Sequence, residues 1–147
     1  MSLAQQHAAE APGKVIYTAK THTTGGRENG VSRSSDGQLE VRLSPPGSAR
    51  AGTNPEQLFA AGWSACFEGA MGVAAQRKKI RLPPDVAIDA EVDLHLRDGG
   101  YFLSARLNVS IPGMERSIAE GVVADAAEIC PYSKATRGNI AVTYSVV

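Results

Sequence analysis

"NPEQLFAAGWSACF", residues 54–67, marks the start of a helix and then gives that helix almost no polar face. Asn54 is a favoured N-cap, and Pro55 suits the first helical position because its missing N–H would have no intrahelical partner there. Apolar and small residues then continue for about seven turns to "QRKK" at 76–79, whose cations suit the negative end of the helix dipole. A helix apolar on nearly every side has to be covered all round, which a second copy of the chain would do more easily than one chain of 147 residues. Two residues are out of place in it, Glu56 and Cys66. On a continuous helix they stand roughly 15 Å apart along the axis and are rotated by roughly 80°. They cannot touch within one chain, so a carboxylate serving the thiol does so through an intermediary such as an arginine, or from a partner subunit. Glu56 also has an ordinary reading, since carboxylates favour the first turn of a helix. Gly62, Trp63, Gly69, Ala70 and Val73 share the side of Cys66. Each interior glycine costs about 1 kcal/mol relative to alanine, which implies that another backbone approaches there.

Before this helix, "VIYTAKTHT" (15–23) is β-branched and aromatic and "QLEVRL" (38–43) alternates, so both read as strands. Asp36-Gly37 is a hairpin-turn dipeptide, and Gly25-Gly26-Arg27 falls in the first connection of an antiparallel meander. After the helix, Val86, Ile88, Ala90, Val92, Leu94 and Leu96 recur at period two. Asp98-Gly99-Gly100 follows, then Tyr101, Leu103, Ala105, Leu107, Val109 and Ile111 at the same period. This predicts a long hairpin with one wet face. "MERSIAEGVVADAAEI" (114–129) spaces Ile118, Val122, Ala126 and Ile129 helically, Pro131 stops that helix near Cys130, and "IAVTYSVV" (140–147) is a last strand. The order β-β-β-α-β-β-α-β is an α+β fold of antiparallel sheets with two main helices. Residues 1–13, small, polar and Ala-rich, read as a flexible tail, leaving residues 14–147 as a single domain.

Fifteen basic residues balance fifteen acidic ones, giving no electrostatic case for nucleic acid or an anionic membrane. No stretch reads as an apolar membrane span and the N-terminus has no secretory pattern, so the expected location is the cytoplasm. Two cysteines, Cys66 and Cys130, are too few for a disulfide-stapled scaffold; they are either inert core thiols or a transient redox pair. His7, His22 and His95 have no ligand spacing to one another or to the cysteines, so no metal site is expected.

"TNPEQLFAAGWSACF" (53–67), with "GGRENG" (25–30) upstream and "CPYSKATRGNI" (130–140) downstream, resembles the organic hydroperoxide resistance branch of the osmotically inducible protein C superfamily. The resemblance spans residues 15–147 and rests on three separate motifs. It implies an intertwined homodimer of OsmC-like fold with two active sites at the interface. The implied activity is a thiol peroxidase that reduces organic hydroperoxides and is itself reduced by dihydrolipoyl thiols, from dihydrolipoamide or a lipoylated protein, with no bound cofactor. Residue by residue, it implies Cys66 as peroxidatic thiol, Cys130 as resolving thiol, Arg27 as activator of the thiol and Glu56 as the group that holds Arg27. Phe59, Trp63, Phe67 and Met71 would line the substrate channel. Two positions depart from the commonest pattern: Trp63 stands where a tyrosine is usual, and Glu28-Asn29 where Asp-Gly is. Two other readings remain open, the sister osmotically inducible peroxidase branch and a non-catalytic redox-sensing or binding dimer on the same fold.

The chemistry asks for these residue types. A thiolate attacks one peroxide oxygen and an alcohol leaves, so a sulfenic acid remains. Apolar burial disfavours the thiolate, and a cation that never deprotonates offsets this. A guanidinium taken out of water needs a counter-carboxylate, the part assigned to Glu56.

Overall fold

The computed structural model describes residues 13–147. The tail expected over residues 1–13 lies, Gly13 apart, outside the described residues, as does His7. The chain forms two compact units, one ending at Gly52 and the other spanning Thr53–Val147.

The first unit is a three-stranded antiparallel meander: β1 (Thr21–Thr24), β2 (Val31–Ser34) and β3 (Glu40–Arg42), with the single-turn α1 (Gly26–Asn29) in the first connection. The strand expected from Val15 begins only at Thr21, and Val15, Ile16 and Tyr17 are exposed. Their β-branched and aromatic character favours a strand but supplies no ladder partner, and pairing rather than propensity makes the strand. The turn after β2 is held by Asp36, whose Oδ1 accepts from Ser34 Oγ at 2.6 Å and from the Gln38 N–H at 3.0 Å, with Gly37 at φ 74°.

The second unit packs α2 (Pro55–Arg77), α3 (Arg116–Ile129) and α4 (Pro131–Thr136) with a sheet of β4 (Ala87–Arg97), β5 (Gly100–Ser110) and β6 (Ala141–Val146). The expected order of main elements is the observed one, with α1 and α4 added. Asn54 caps α2 as read from the sequence, its Oδ1 accepting the Gln57 N–H at 2.8 Å. β4 and β5 pair in register from Ala87–Ser110 to Arg97–Gly100, turning through Asp98 and Gly99 at φ 51° and 76°. A purely antiparallel sheet does not describe this unit, because β6 runs parallel to β5. α3 and α4 form the crossover that returns the chain to the same end of the sheet, so β6 enters in the direction of β5.

The core is Trp63, Phe67, Ala70, Met71 and Ala74 of α2, Ala105, Leu107 and Val109 of β5, and Ala119, Val122, Val123 and Ala126 of α3. Burying each of the larger side chains contributes about 1.5–3 kcal/mol. On the opposite side of α2, Ala61, Ala65, Gly69, Gly72 and Val73 are exposed among the described residues. The backbone approach expected at the helix glycines is absent at Gly69, which faces open space, while an added Cβ at Gly62 would lie 2.9 Å from Tyr132 Oη. α2 also corrects the reading that no segment has the length and apolarity of a membrane span, since it meets both measures.

The wet face of the hairpin carries an ionic cluster. Arg106 grips Asp93 through two bonds of 2.7 and 2.9 Å and reaches Glu91 at 3.3 Å, while Ser104 Oγ donates to Asp93 at 2.6 Å. Arg106 and Ser104 hold the Asp93 carboxyl well below the usual carboxylate range. A carboxyl depressed on folding contributes stability above its unfolded pKa, near 3.9, and loses that contribution as pH falls through the folded value. Asp93→Asn therefore lowers Tm at neutral pH by no more than about 5 °C for so exposed a pair. The gap to wild type closes below about pH 4, which thermal melts across pH measure.

Candidate active site

Cys66 and Cys130, 64 residues apart in sequence, bring their sulfur atoms to 3.6 Å. Both are free thiols, Cys66 half-buried and Cys130 fully buried. Cys66 projects from the middle of α2, which runs unbroken from Pro55 to Arg77. Cys130 stands at the corner between α3 and α4, with φ −62° and ψ 123°, so that one residue ends the first helix and caps the second. Pro131 has both roles its chemistry allows: it cannot continue α3, and it occupies the first position of α4. The Cys130 side chain makes no capping bond, and its N–H donates to Ala126 O at 2.8 Å. The corner therefore presents a buried thiol to a thiol that solvent can reach.

Burial raises the pKa of the Cys66 thiol above that of an ordinary cysteine, and the neighbouring Cys130 thiol adds to the rise. The backbone N–H of Tyr132 bonds to the Cys66 sulfur and acts in the opposite direction. This amide is a functional group that the sequence reading missed. The signal was present in "CPY": proline after a cysteine starts a new helix there, so the N–H groups of its first turn are unpaired and available.

The other expected site residues are placed as follows. Glu56 is half-buried in the first turn of α2, ten residues before Cys66 on the same uninterrupted helix. Arg27 belongs to the first unit, on the exposed single turn of α1. That turn is tight, with Gly25 and Gly26 at φ 77° and 64°, and a Cβ on Gly25 would meet Gly30 Cα at 2.8 Å. The glycines thus serve a close backbone crossing beside the arginine. Of the four residues expected to line a channel, Phe59 is partly exposed and the other three are fully buried. Phe59 borders a groove of about 470 Å³ together with Leu103, Pro131, Tyr132 and Ile140. Trp63, Phe67 and Met71 have no exposed surface and belong to the core, because their stripe of α2 faces the sheet and α3. Phe59 lies two helical turns before Cys66 on one stripe and meets Trp63 and Tyr132 edge-on, at 5.5 and 6.1 Å. Among the described residues no cluster of three or more His, Cys, Asp or Glu is arranged to hold a metal ion.

The arrangement can perform two-thiol redox chemistry. One sulfur is reachable, the second is shielded and adjacent, and Phe59 of the same helix borders a largely apolar groove.

Comparison with known proteins gives concordant results. The model of the family described as OsmC-like protein matches residues 46–145. An organic hydroperoxide resistance protein of Xanthomonas axonopodis pv. citri is 46% identical over 140 residues, 92% of this chain and 98% of that protein. The organic hydroperoxide resistance protein OhrA of Bacillus subtilis is 41% identical over 136 residues, 89% of this chain and 96% of its own length. The crystal structure of OhrB from Bacillus subtilis superposes with a TM-score of 0.84 at 40% identity, covering 90% of this chain and all of that one.

Proposed function

The chain belongs to the organic hydroperoxide resistance branch of the OsmC-like family, and from that premise we propose that it is a cysteine-based peroxidase reducing organic hydroperoxides to alcohols. The observation that carries the reading is the thiol pair, 3.6 Å apart with only Cys66 open to solvent. The Cys66 thiolate attacks the terminal peroxide oxygen, the O–O bond breaks and the alkoxide leaves as the alcohol. Cys66 is left as a sulfenic acid. Cys130 then displaces the hydroxyl as water and a disulfide forms. Two thiols of a dihydrolipoyl donor, dihydrolipoamide or a lipoylated protein, reduce that disulfide and restore the pair.

Arg27 and Glu56 enter this reading through electrostatics. The Cys66 thiol is raised by burial, so the Tyr132 amide alone leaves the thiolate disfavoured, and a permanent cation offsets that. Arg27 supplies it, with Glu56 orienting the guanidinium through a bidentate pair. The groove beside Phe59 suits an alkyl tail, since it is lined largely by apolar groups and Phe59 belongs to the same helix as Cys66. The working form is an intertwined cytoplasmic homodimer in which residues 14–147 act as one peroxidase domain. The exposed face of α2, from Ala61 to Val73, is the surface that such a partner would bury.

The test is turnover of cumene hydroperoxide with dihydrolipoamide, run beside hydrogen peroxide. Faster consumption of the bulky hydroperoxide is expected. Preference for hydrogen peroxide would assign the protein to the sister peroxidase branch, and no thiol consumption with either would leave a non-catalytic redox or binding role.

A further inference from the structure

Two rungs join α2 to the segment that carries Cys130. The first is the thiol pair. The second lies three residues back along α2 and three residues onward from Cys130, where the Trp63 indole N–H donates to Ser133 Oγ at 3.2 Å. Ser133 Oγ also accepts from Tyr144 Oη at 2.9 Å, so one buried hydroxyl, 2% exposed, ties α4 to α2 and to β6. An indole N–H can only donate, and Trp63 has no exposed surface from which to find water. Tyr144 is fixed in turn by stacking on Phe67, at 5.2 Å between ring centres, and Phe67 directly follows Cys66.

Cys130 is held at its corner through its backbone and not through its side chain. Its dihedrals are non-helical and its side chain caps nothing; on the α3 side its N–H reaches Ala126 O at 2.8 Å. On the α4 side its carbonyl accepts the Lys134 N–H at 2.9 Å, and Ser133 makes the buried side-chain hydrogen bonds of the first turn, beside the edge-on packing of Tyr132 on Phe59. From 3.6 Å the sulfur atoms have to close by about 1.5 Å to bond, along a direction set by the S–O axis of the oxidised Cys66. Displacements of about 1 Å at a reacting pair can change rates by as much as ~100-fold.

We propose that Ser133 is a positioning residue for the resolving step: through Trp63 and Tyr144 it holds Cys130 against the oxidised Cys66 while touching neither substrate nor sulfur. The proposal rests on the peroxidase reading above. In the step it governs, the Cys130 sulfur donates an electron pair to the Cys66 sulfur and the S–S bond forms. The S–O bond breaks, and the hydroxyl leaves as water with the proton of the Cys130 thiol. Cys66 is reduced from the sulfenic to the disulfide level as Cys130 is oxidised to it.

The experiment mixes the reduced full-length protein with one equivalent of cumene hydroperoxide. It follows peroxide loss by stopped flow and disulfide formation by acid quench and mass. Ser133→Ala is expected to keep the rate of peroxide loss within about two-fold and to slow disulfide formation by ~10-fold or more. The longer-lived sulfenic acid then passes more readily to sulfinic acid under excess peroxide. Trp63→Phe keeps an aromatic ring in the core and removes the N–H together with part of the indole, so it should give the same step-selective slowing; it carries the test if Ser133→Ala does not fold. Because the bond that Trp63→Phe removes is one of the two that Ser133→Ala removes, the double variant should be no slower than about the slower single. Disulfide formation at the wild-type rate in both variants, or equal slowing of both steps, would overturn the proposal. Failure of the peroxidase reading looks different: the wild-type protein would then leave the equivalent unconsumed, or consume it without linking Cys66 to Cys130.

Discussion

Cys66→Ser is expected to leave no hydroperoxide turnover, whereas Cys130→Ser should consume about one equivalent of peroxide per chain and then stop. The asymmetry follows from exposure. Cys66 is half-buried and reachable, while Cys130 has no accessible surface, so a hydroperoxide meets the first sulfur and not the second. A serine hydroxyl in place of Cys66 stays protonated at neutral pH and cannot act as the nucleophile that a thiolate is. In Cys130→Ser the first oxidation proceeds, but no thiol stands 3.6 Å away to displace the hydroxyl, and the chain accumulates one oxygen heavier. Peroxide remaining after a single addition, read beside intact mass, separates the two variants. Equal first-turnover consumption by both would reverse or remove the assigned roles.

If Arg27 is the cation that the proposed mechanism requires, Arg27→Ala should slow the first oxidation by on the order of 100-fold and raise the Cys66 pKa. The direction follows from the surroundings of Cys66, where burial already pushes the thiol up and the Tyr132 amide works against it. With a raised pKa the nucleophilic fraction at neutral pH falls, so the rate of Arg27→Ala continues to climb with pH beyond the point where wild type levels off. Arg27→Lys keeps the charge but not the planar fork, and its rate should fall between the two. Thiolate absorbance titrated in Arg27→Ala on a Cys130→Ser background measures the shift for Cys66 alone. An unmoved pKa would remove Arg27 from the activating role.

Much of this fold was readable because it is specified by short stretches. Asn54-Pro55 announces the start of α2 and Asn54 does cap it. The period-two run on either side of Asp98-Gly99 specifies the β4–β5 hairpin, pair for pair. The same local reading ran too far at Val15, where strand-forming residues stay exposed for want of a ladder. It fell short at Pro131, where the residue that ends α3 also begins α4. In the candidate site, the cysteines and their companions stood out through three motifs, while the Tyr132 amide and the Ser133 hydroxyl carried no comparable mark. Trp63, Phe67 and Met71 read by residue type as core more often than channel, and only the resemblance pointed to a channel, since apolar residues on a helix apolar all round carry no sign of which side faces the sheet.

The sequence by itself determined the main elements, their order, the Asn54 cap, the Asp36-Gly37 and Asp98-Gly99 turns and the two thiols, because each depends on dihedral preference, periodicity or residue chemistry within a few positions. Only the tertiary structure decided that β6 runs parallel to β5, that the larger side chains of α2 point inward, and that Cys66 and Cys130 meet across 64 residues. These are consequences of how the α3–α4 crossover closes against α2 and the sheet, and contacts between distant segments are set by packing the whole core at once rather than by any local preference.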